Sequence, residues 1–137
     1  DSRVGDDTIL VNNTALAGHV EVGDWAILSG YTLVHQFCKI GAHSFSGMGT
    51  SIGKDVPAYI TVAGSPAEAK TINIEGLRRR GFDSAEISTL RRAFKILYRQ
   101  GLTLDVAVER LQAMAPETPS LQPLIDSLMQ SQRGIVR

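Results

Sequence analysis

Aliphatic residues recur at every sixth position of the first half of the chain: Val4, Leu10, Leu16, Val22, Leu28, Val34, Ile40, then Ser46, Ile52 and Ala58. Only Ser46 in this column is polar. Four places after each stand Thr8, Thr14, Val20, Ala26, Thr32, Cys38, Ser44, Thr50, Val56 and Val62, all small or β-branched. An amphipathic helix needs apolar residues at three- and four-residue spacing, and an ordinary half-buried strand needs them at every second residue. Two columns holding a period of six exclude both. The pattern predicts a parallel β-helix, in which short strands separated by turns stack coil upon coil around a narrow interior. The aliphatic column points inward, and the small column fits where the interior tightens. Gly5, Gly23, Gly41 and Gly53, each just after an aliphatic residue, suit strained backbone at the corners.

This pattern resembles the hexapeptide-repeat transferases. That resemblance implies a left-handed parallel β-helix with three hexads per coil, assembled as a homotrimer. With eighteen residues per coil, positions eighteen apart lie above one another at a strand spacing of about 4.8 Å.

The six-residue period fails after about Ala63, which divides the chain into β-helix coils (1–63) and a C-terminal α-helical domain (64–137). A short helix is predicted from Asn73 to Arg80, stopped by Gly81. Asp83 reads as an N-cap with Glu86 as its capping-box partner, and Gly101 as the stop of the same helix. Ile87, Leu90, Phe94, Ile96, Leu97 and Tyr98 supply the buried side of that helix. Val106, Val108 and Leu111 mark the next one, ended before Pro116. Leu124, Ile125 and Leu128 mark a last helix from about Leu121 to Gln132. Such helices commonly close one end of a solenoid.

Formal charge is balanced over the whole chain but unequal between its parts. Residues 1–63 carry three basic and six acidic side chains, and residues 64–137 carry eleven and eight. The positive second part suits an acidic or phosphate-bearing partner. Nothing singles out nucleic acid. The lone Cys38 falls in the small inward column and reads as packing. No apolar run reaches the length of a membrane span and no secretory leader is visible, so a cytoplasmic setting is expected. A β-helix needs its first coil covered, so the opening at Asp1 suggests the C-terminal part of a longer protein.

Three histidines, His19, His35 and His43, are separated by sixteen and eight residues. No carboxylate completes a set around them, so no metal is expected there; no cofactor is expected either. His43 lies above Trp25 and Asp7 on the coil map and reads as an outward corner residue in a surface stack. His19 lies between Asp1 and Phe37 in one column, and Gly18 lies beneath Gln36 in the next. A glycine there leaves its N–H open to a ligand, as in the stabilisation of an oxyanion.

The stretch from Asn12 to His43, containing "LAGHV" and "VHQFC", together with "DVPAY", "NIEGLRRRGF" and the terminal "RGIVR", resembles the UDP-N-acetylglucosamine O-acyltransferases that begin lipid A synthesis in Gram-negative bacteria. The similarity runs from the first residue to the last. It implies transfer of a 3-hydroxyacyl chain from acyl carrier protein to the 3-hydroxyl of UDP-N-acetylglucosamine. In that family a histidine acts as general base and the following aspartate orients its ring. The aspartate matches Asp1, which puts the histidine just before this sequence and implies that the fragment alone is inactive.

By the same resemblance Gly18 offers its N–H to the oxyanion, His19 and Gln36 line the cleft, and His35 contacts the substrate. Asn73, Glu75, Arg79 and Arg80 would hold the nucleotide sugar, since a guanidinium can bind diphosphate oxygens in pairs. Met48 stands where members using longer chains have glycine, so its side chain would block the far end of the acyl groove. That implies a 3-hydroxydecanoyl donor. Two rival functions remain at the level of sequence: a catalytically empty trimeric binding module, and the related UDP-3-O-acylglucosamine N-acyltransferase of the same pathway.

Overall fold

In the computed structural model, which describes residues 1–137, nine strands of two residues each follow one another at the hexad spacing. They are β1 (Arg3–Val4), β2 (Ile9–Leu10), β3 (Ala15–Leu16), β4 (Glu21–Val22), β5 (Ile27–Leu28), β6 (Leu33–Val34), β7 (Lys39–Ile40), β8 (Phe45–Ser46) and β9 (Ser51–Ile52). Every third strand pairs in parallel. Val4 lies beside Val22 and Val22 beside Ile40; Leu10 pairs with Leu28 and Leu28 with Ser46; Leu16 pairs with Val34 and Val34 with Ile52. The eighteen-residue coil and the parallel β-helix are therefore as expected. Val22, Leu28, Val34, Ile40 and Ile52 are buried, as are the small residues Val20, Ala26, Thr32, Cys38, Ser44 and Thr50. Ser46, the polar member of the aliphatic column, meets Thr32 Oγ1 at 2.8 Å, so the interior leaves neither hydroxyl unpaired.

The corners correct the expectation for the glycines. Positive φ falls one residue earlier in each hexad than the small column, on Asp7, Asn13, His19, Trp25, Tyr31, Phe37, His43 and Gly49. Gly23 and Gly41 are required for space instead. A Cβ on Gly23 would lie 2.6 Å from the Ala42 nitrogen, and one on Gly41 2.3 Å from the Ala58 nitrogen. Backbone passes directly over these two positions, and only a residue without a side chain admits it. Gly53 has no such neighbour, its nearest being His35 Cδ2 at 3.8 Å.

The last coil is two residues short. Val56 bridges Ile40 and Val62 pairs with Ser46, a separation of sixteen. Val56 and Val62, expected in the small column, therefore continue the aliphatic one, and Tyr59 (φ 72°) takes the corner position. Asp55 turns this coil. Its buried carboxylate accepts from the Lys39 N–H at 2.8 Å and from Ser131 Oγ at 2.6 Å, while its backbone meets the C-terminal segment at Gly134 and Val136. The C-terminal residues Ile135 and Val136 are buried there.

Strand β10 (Ile60–Ala63) pairs with β8 and also with an antiparallel strand, β11 (Glu68–Ile72), which the sequence pattern did not signal. Its burial order is irregular and a bulge falls between Thr61 and Val62, so it lacks a clean alternation. β11 covers an edge that would otherwise be open.

Four helices follow: α1 (Ile74–Arg79), α2 (Ser84–Tyr98), α3 (Leu104–Met114) and α4 (Gln122–Gln130), the last preceded by a 3-10 turn at Pro119–Leu121. Asp83 and Glu86 form the expected capping box, with Glu86 N–H donating to Asp83 at 2.7 Å and Asp83 N–H to Glu86 at 3.1 Å. Helix α4 buries Leu124, Ile125 and Leu128 as expected. Helix α3 differs: it buries Ala107 and Leu111, whereas Val106 is exposed and Val108 half-buried. Packing between α2 and α4 places the small Ala107 at close approach. One apolar core runs from the coil interior into the helices. No helix is long and apolar enough to cross a membrane.

Candidate functional site

The short strands leave three corners along the coil, and the expected site residues divide among them. At one corner the turns Gly18–His19 and Gln36–Phe37 are stacked, with Asp1 in the same column. The His19 ring lies on Phe37 with centroids 4.9 Å apart and planes 21° from parallel. Asp1, His19 and Phe37 line a cleft of about 580 Å³ together with Arg3, Glu21, Lys39, Asp55 and Arg133. Arg3, Glu21 and Lys39 face outward in register, so their charges alternate along this side.

The Gly18 carbonyl accepts from the Phe37 N–H at 3.0 Å, and its own N–H makes no hydrogen bond within the chain. The N–H groups of Asp24, Gly30, Gln36 and Ala42 at the matching corner positions are free in the same way. Gly30 is as open, an added Cβ meeting nothing closer than the Asn12 carbonyl oxygen at 3.5 Å, so what sets Gly18 apart is its place in the corner of Asp1 and His19. A Cβ on Gly18 would meet Gln36 Nε2 only at 3.6 Å, an ordinary contact, and its φ is not positive. Neither crowding nor backbone strain within this chain calls for glycine at position 18. His35 is exposed on the adjoining edge, with Nε2 3.5 Å from Ser51 Oγ.

The second group gathers around α1. Asn73 caps this helix: its Oδ1 accepts from the Gly76 N–H at 3.2 Å, and its Nδ2 donates to the His43 carbonyl at 3.1 Å. Glu75 and Arg79, one helical turn apart, form an exposed ion pair of 2.9 Å. Arg80 turns the other way, towards the corner formed by Trp25, His43 and Tyr59, and donates from Nη1 to His43 Nδ1 at 3.0 Å. Asn73, Glu75, Arg79 and Arg80 share a groove of about 490 Å³ with Ile27 and Phe45. The structure thus brings the four expected nucleotide-sugar residues together.

His43 does stack over Trp25, with planes 6° from parallel and centroids 6.3 Å apart. It is not merely an outward surface residue, however, because it is half-buried against Tyr59 and Phe82, each ring 5.4 Å away. Sequence spacing missed this cluster because the shortened coil moves Tyr59 out of the eighteen-residue column. Burial, then the Arg80 charge, push the His43 pKa down to about 4 against an opposing pull from Asp24.

Met48 projects at the third corner and is 79% exposed. Cys38 is wholly buried, and burial followed by the charge of Asp55 raises its thiol pKa. No group of three or more His, Cys, Asp or Glu side chains lies within reach of one metal ion.

Residues 55–136 match the family described as UDP-N-acetylglucosamine O-acyltransferase, domain 2. Among individual proteins, the acyl-[acyl-carrier-protein]–UDP-N-acetylglucosamine O-acyltransferase of Pseudomonas entomophila is 64% identical over all 137 residues, which cover 53% of that protein. Among solved structures, LpxA from Acinetobacter baumannii superposes with a TM-score of 0.97 at 48% identity, over all of this chain and 54% of that one. The UDP-N-acetylglucosamine O-acyltransferase of Moraxella catarrhalis gives 0.98 at 42%, over all of this chain and 53% of that one. The chain spans about half the length of the relatives it matches.

Proposed function

Because this chain belongs to the UDP-N-acetylglucosamine O-acyltransferase family, we propose that it forms the C-terminal part of an enzyme moving a 3-hydroxyacyl chain from acyl carrier protein to the 3-hydroxyl of UDP-N-acetylglucosamine. This is the first step of lipid A biosynthesis, in a cytoplasmic setting. The division into β-helix coils (1–63) and helical domain (64–137), the left-handed sense of the coil and the homotrimer belong to the same reading. So does the general base, a histidine directly before Asp1.

In this scheme the base takes the proton of the sugar 3-hydroxyl as the oxygen attacks the thioester carbonyl, and Asp1 holds the base's ring in the correct tautomer. Negative charge develops on the carbonyl oxygen and is met by the free N–H of Gly18. Collapse of the intermediate forms the ester and expels the carrier's thiolate, which receives the proton. His19 and Gln36 border this centre, and His35 touches the substrate at its edge. Arg79 and Arg80 take the diphosphate, with Asn73 and Glu75 completing the nucleotide-sugar groove. Met48 limits the acyl groove to 3-hydroxydecanoyl. Gly18 and Met48 stand at two corners of the coil stack and Arg80 packs against the third, which fits a site that, in the proposed homotrimer, draws residues from neighbouring copies.

The observation that carries the reading is Gly18, which shares a corner with His19 and Asp1, has a free N–H, and has no need of glycine within its own chain. The test is acyl transfer to UDP-N-acetylglucosamine from 3-hydroxyacyl carrier proteins of several lengths, run on this chain and on one extended upstream to the length of its relatives. Turnover by the extended protein alone, with a preference for 3-hydroxydecanoyl, is the expected result. Equal activity of the short chain would remove the base from its assigned place and make His19 the first candidate.

A further inference from the structure

Arg80 is gripped entirely by uncharged groups. Its guanidinium carbon lies 5.1 Å from the centroid of the Trp25 ring, and Nη1 donates to His43 Nδ1 at 3.0 Å. No carboxylate pairs with it, for the chain's two ion pairs join Glu68 to Lys70 and Glu75 to Arg79. A guanidinium has donors only, so His43 Nδ1 must be the acceptor and the ring proton sits on Nε2. The depressed pKa of His43 agrees with a neutral ring at physiological pH.

The imidazole is fixed on several sides. Trp25 and Tyr59 stack on it, Phe82 meets it edge-on, and the Tyr59 hydroxyl is tied to the Ser120 carbonyl at 2.7 Å. The His43 carbonyl accepts from Asn73 Nδ2, which locks the corner to the start of α1. An aspartate in place of His43 could orient Arg80 equally well, but it would neutralise the charge. A neutral nitrogen and a ring face orient the cation and leave its charge whole.

We propose that His43 is a positioning residue for anion recognition: the Trp25–His43–Tyr59 ladder holds one edge of the Arg80 guanidinium and leaves its Nη2 and Nε donors free for the phosphate oxygens of the nucleotide sugar. The inference rests on the reading of Arg80 as a diphosphate ligand. Arg79, the last residue of α1, is the neighbouring counterexample, already paired with Glu75 and exposed on both sides.

The experiment is steady-state kinetics on the full-length protein with His43→Phe, His43→Asn, Arg80→Ala and the double variant His43→Phe/Arg80→Ala. Phenylalanine keeps a ring in the ladder and removes the acceptor; Phe37 already occupies the equivalent turn position at φ 69°. Asparagine restores an acceptor near the Nδ1 position and tolerates positive φ. Loss of one hydrogen bond to a charged group predicts a rise of about tenfold in KM for UDP-N-acetylglucosamine with His43→Phe. The expected kcat stays within about twofold, KM for the acyl donor is unmoved, and His43→Asn recovers most of the loss. The double variant should be no worse than Arg80→Ala alone. Additive losses in the double variant, or a fall in kcat with KM unchanged, would overturn the proposal. If Arg80→Ala raises KM and His43→Phe does not, the positioning role falls while the diphosphate reading stands. If Arg80→Ala itself leaves KM unmoved, the diphosphate reading fails and takes this inference with it.

Discussion

Adding a single methyl group at Gly18 separates a glycine kept for a ligand from one kept for the fold. In Gly18→Ala the new Cβ meets nothing closer than Gln36 Nε2 at 3.6 Å and Gln36 Cγ at 3.9 Å. With no positive φ to strain, the substitution should leave stability unchanged or raise it by about 0.4–1 kcal/mol, through the loss of freedom in the unfolded chain. The matched change Gly41→Ala places its Cβ 2.3 Å from the Ala58 nitrogen, 2.6 Å from its Cα and 2.7 Å from the Pro57 carbonyl carbon. All three are backbone atoms, so no rotamer change relieves the clash, and the expected cost is about 1–3 kcal/mol or more. At this chain length that is a fall of roughly 3–10 °C in Tm.

Activity should reverse the order for Gly18. A methyl beside its N–H keeps an oxyanion from the 2.7–3.1 Å distance at which a donor acts, and removing one such donor costs on the order of 100-fold or more in kcat. Thermal unfolding and acyl-transfer kinetics on the same preparations give both quantities. A Gly18→Ala protein with parental kcat would refute the oxyanion role. A Tm lowered as far as that of Gly41→Ala would show that the fold, not a ligand, demands the glycine.

Three further outcomes are expected. His43 binds its proton less readily in the folded chain, at about 4 against an ordinary 6.5, so its contribution to stability is complete above pH 6.5 and is lost as pH falls through 4; for a half-exposed ring the loss is about 1–2 kcal/mol, read as a pH-dependent Tm that flattens in His43→Phe. Asp83→Ala removes the oxygen that accepts the Glu86 N–H at 2.7 Å, and chemical denaturation should record a loss of about 1 kcal/mol. Met48→Gly, at a side chain 79% exposed, should shift donor preference towards longer acyl chains in competition assays; an unchanged preference would remove Met48 as the limit on chain length.

Much of this molecule is one-dimensional. The inward columns from Val20 to Ile52, the eighteen-residue pairing of Val22 with Ile40, and the capping box of Asp83 and Glu86 each depend on residues a fixed, short distance apart in the chain. Repetition amplifies such signals, since every coil states the same pattern again. The corner of Gly18, His19 and Gln36 was legible for that reason, by counting eighteen.

Tertiary structure decided what breaks the period. The last coil drops two residues, so Val56 rather than Ala58 continues above Ile40, and Tyr59 joins Trp25 and His43. Position in the repeat could not show that Phe82 and Arg80, contributed by the helical part, would turn a surface histidine into a half-buried acceptor. Nor could it show that Asp55 would be buried against Ser131, seventy-six residues further on. A repeat records what each residue needs from its own coil and the next. Contacts closed by the folded helices have no fixed spacing, and so leave no period to read.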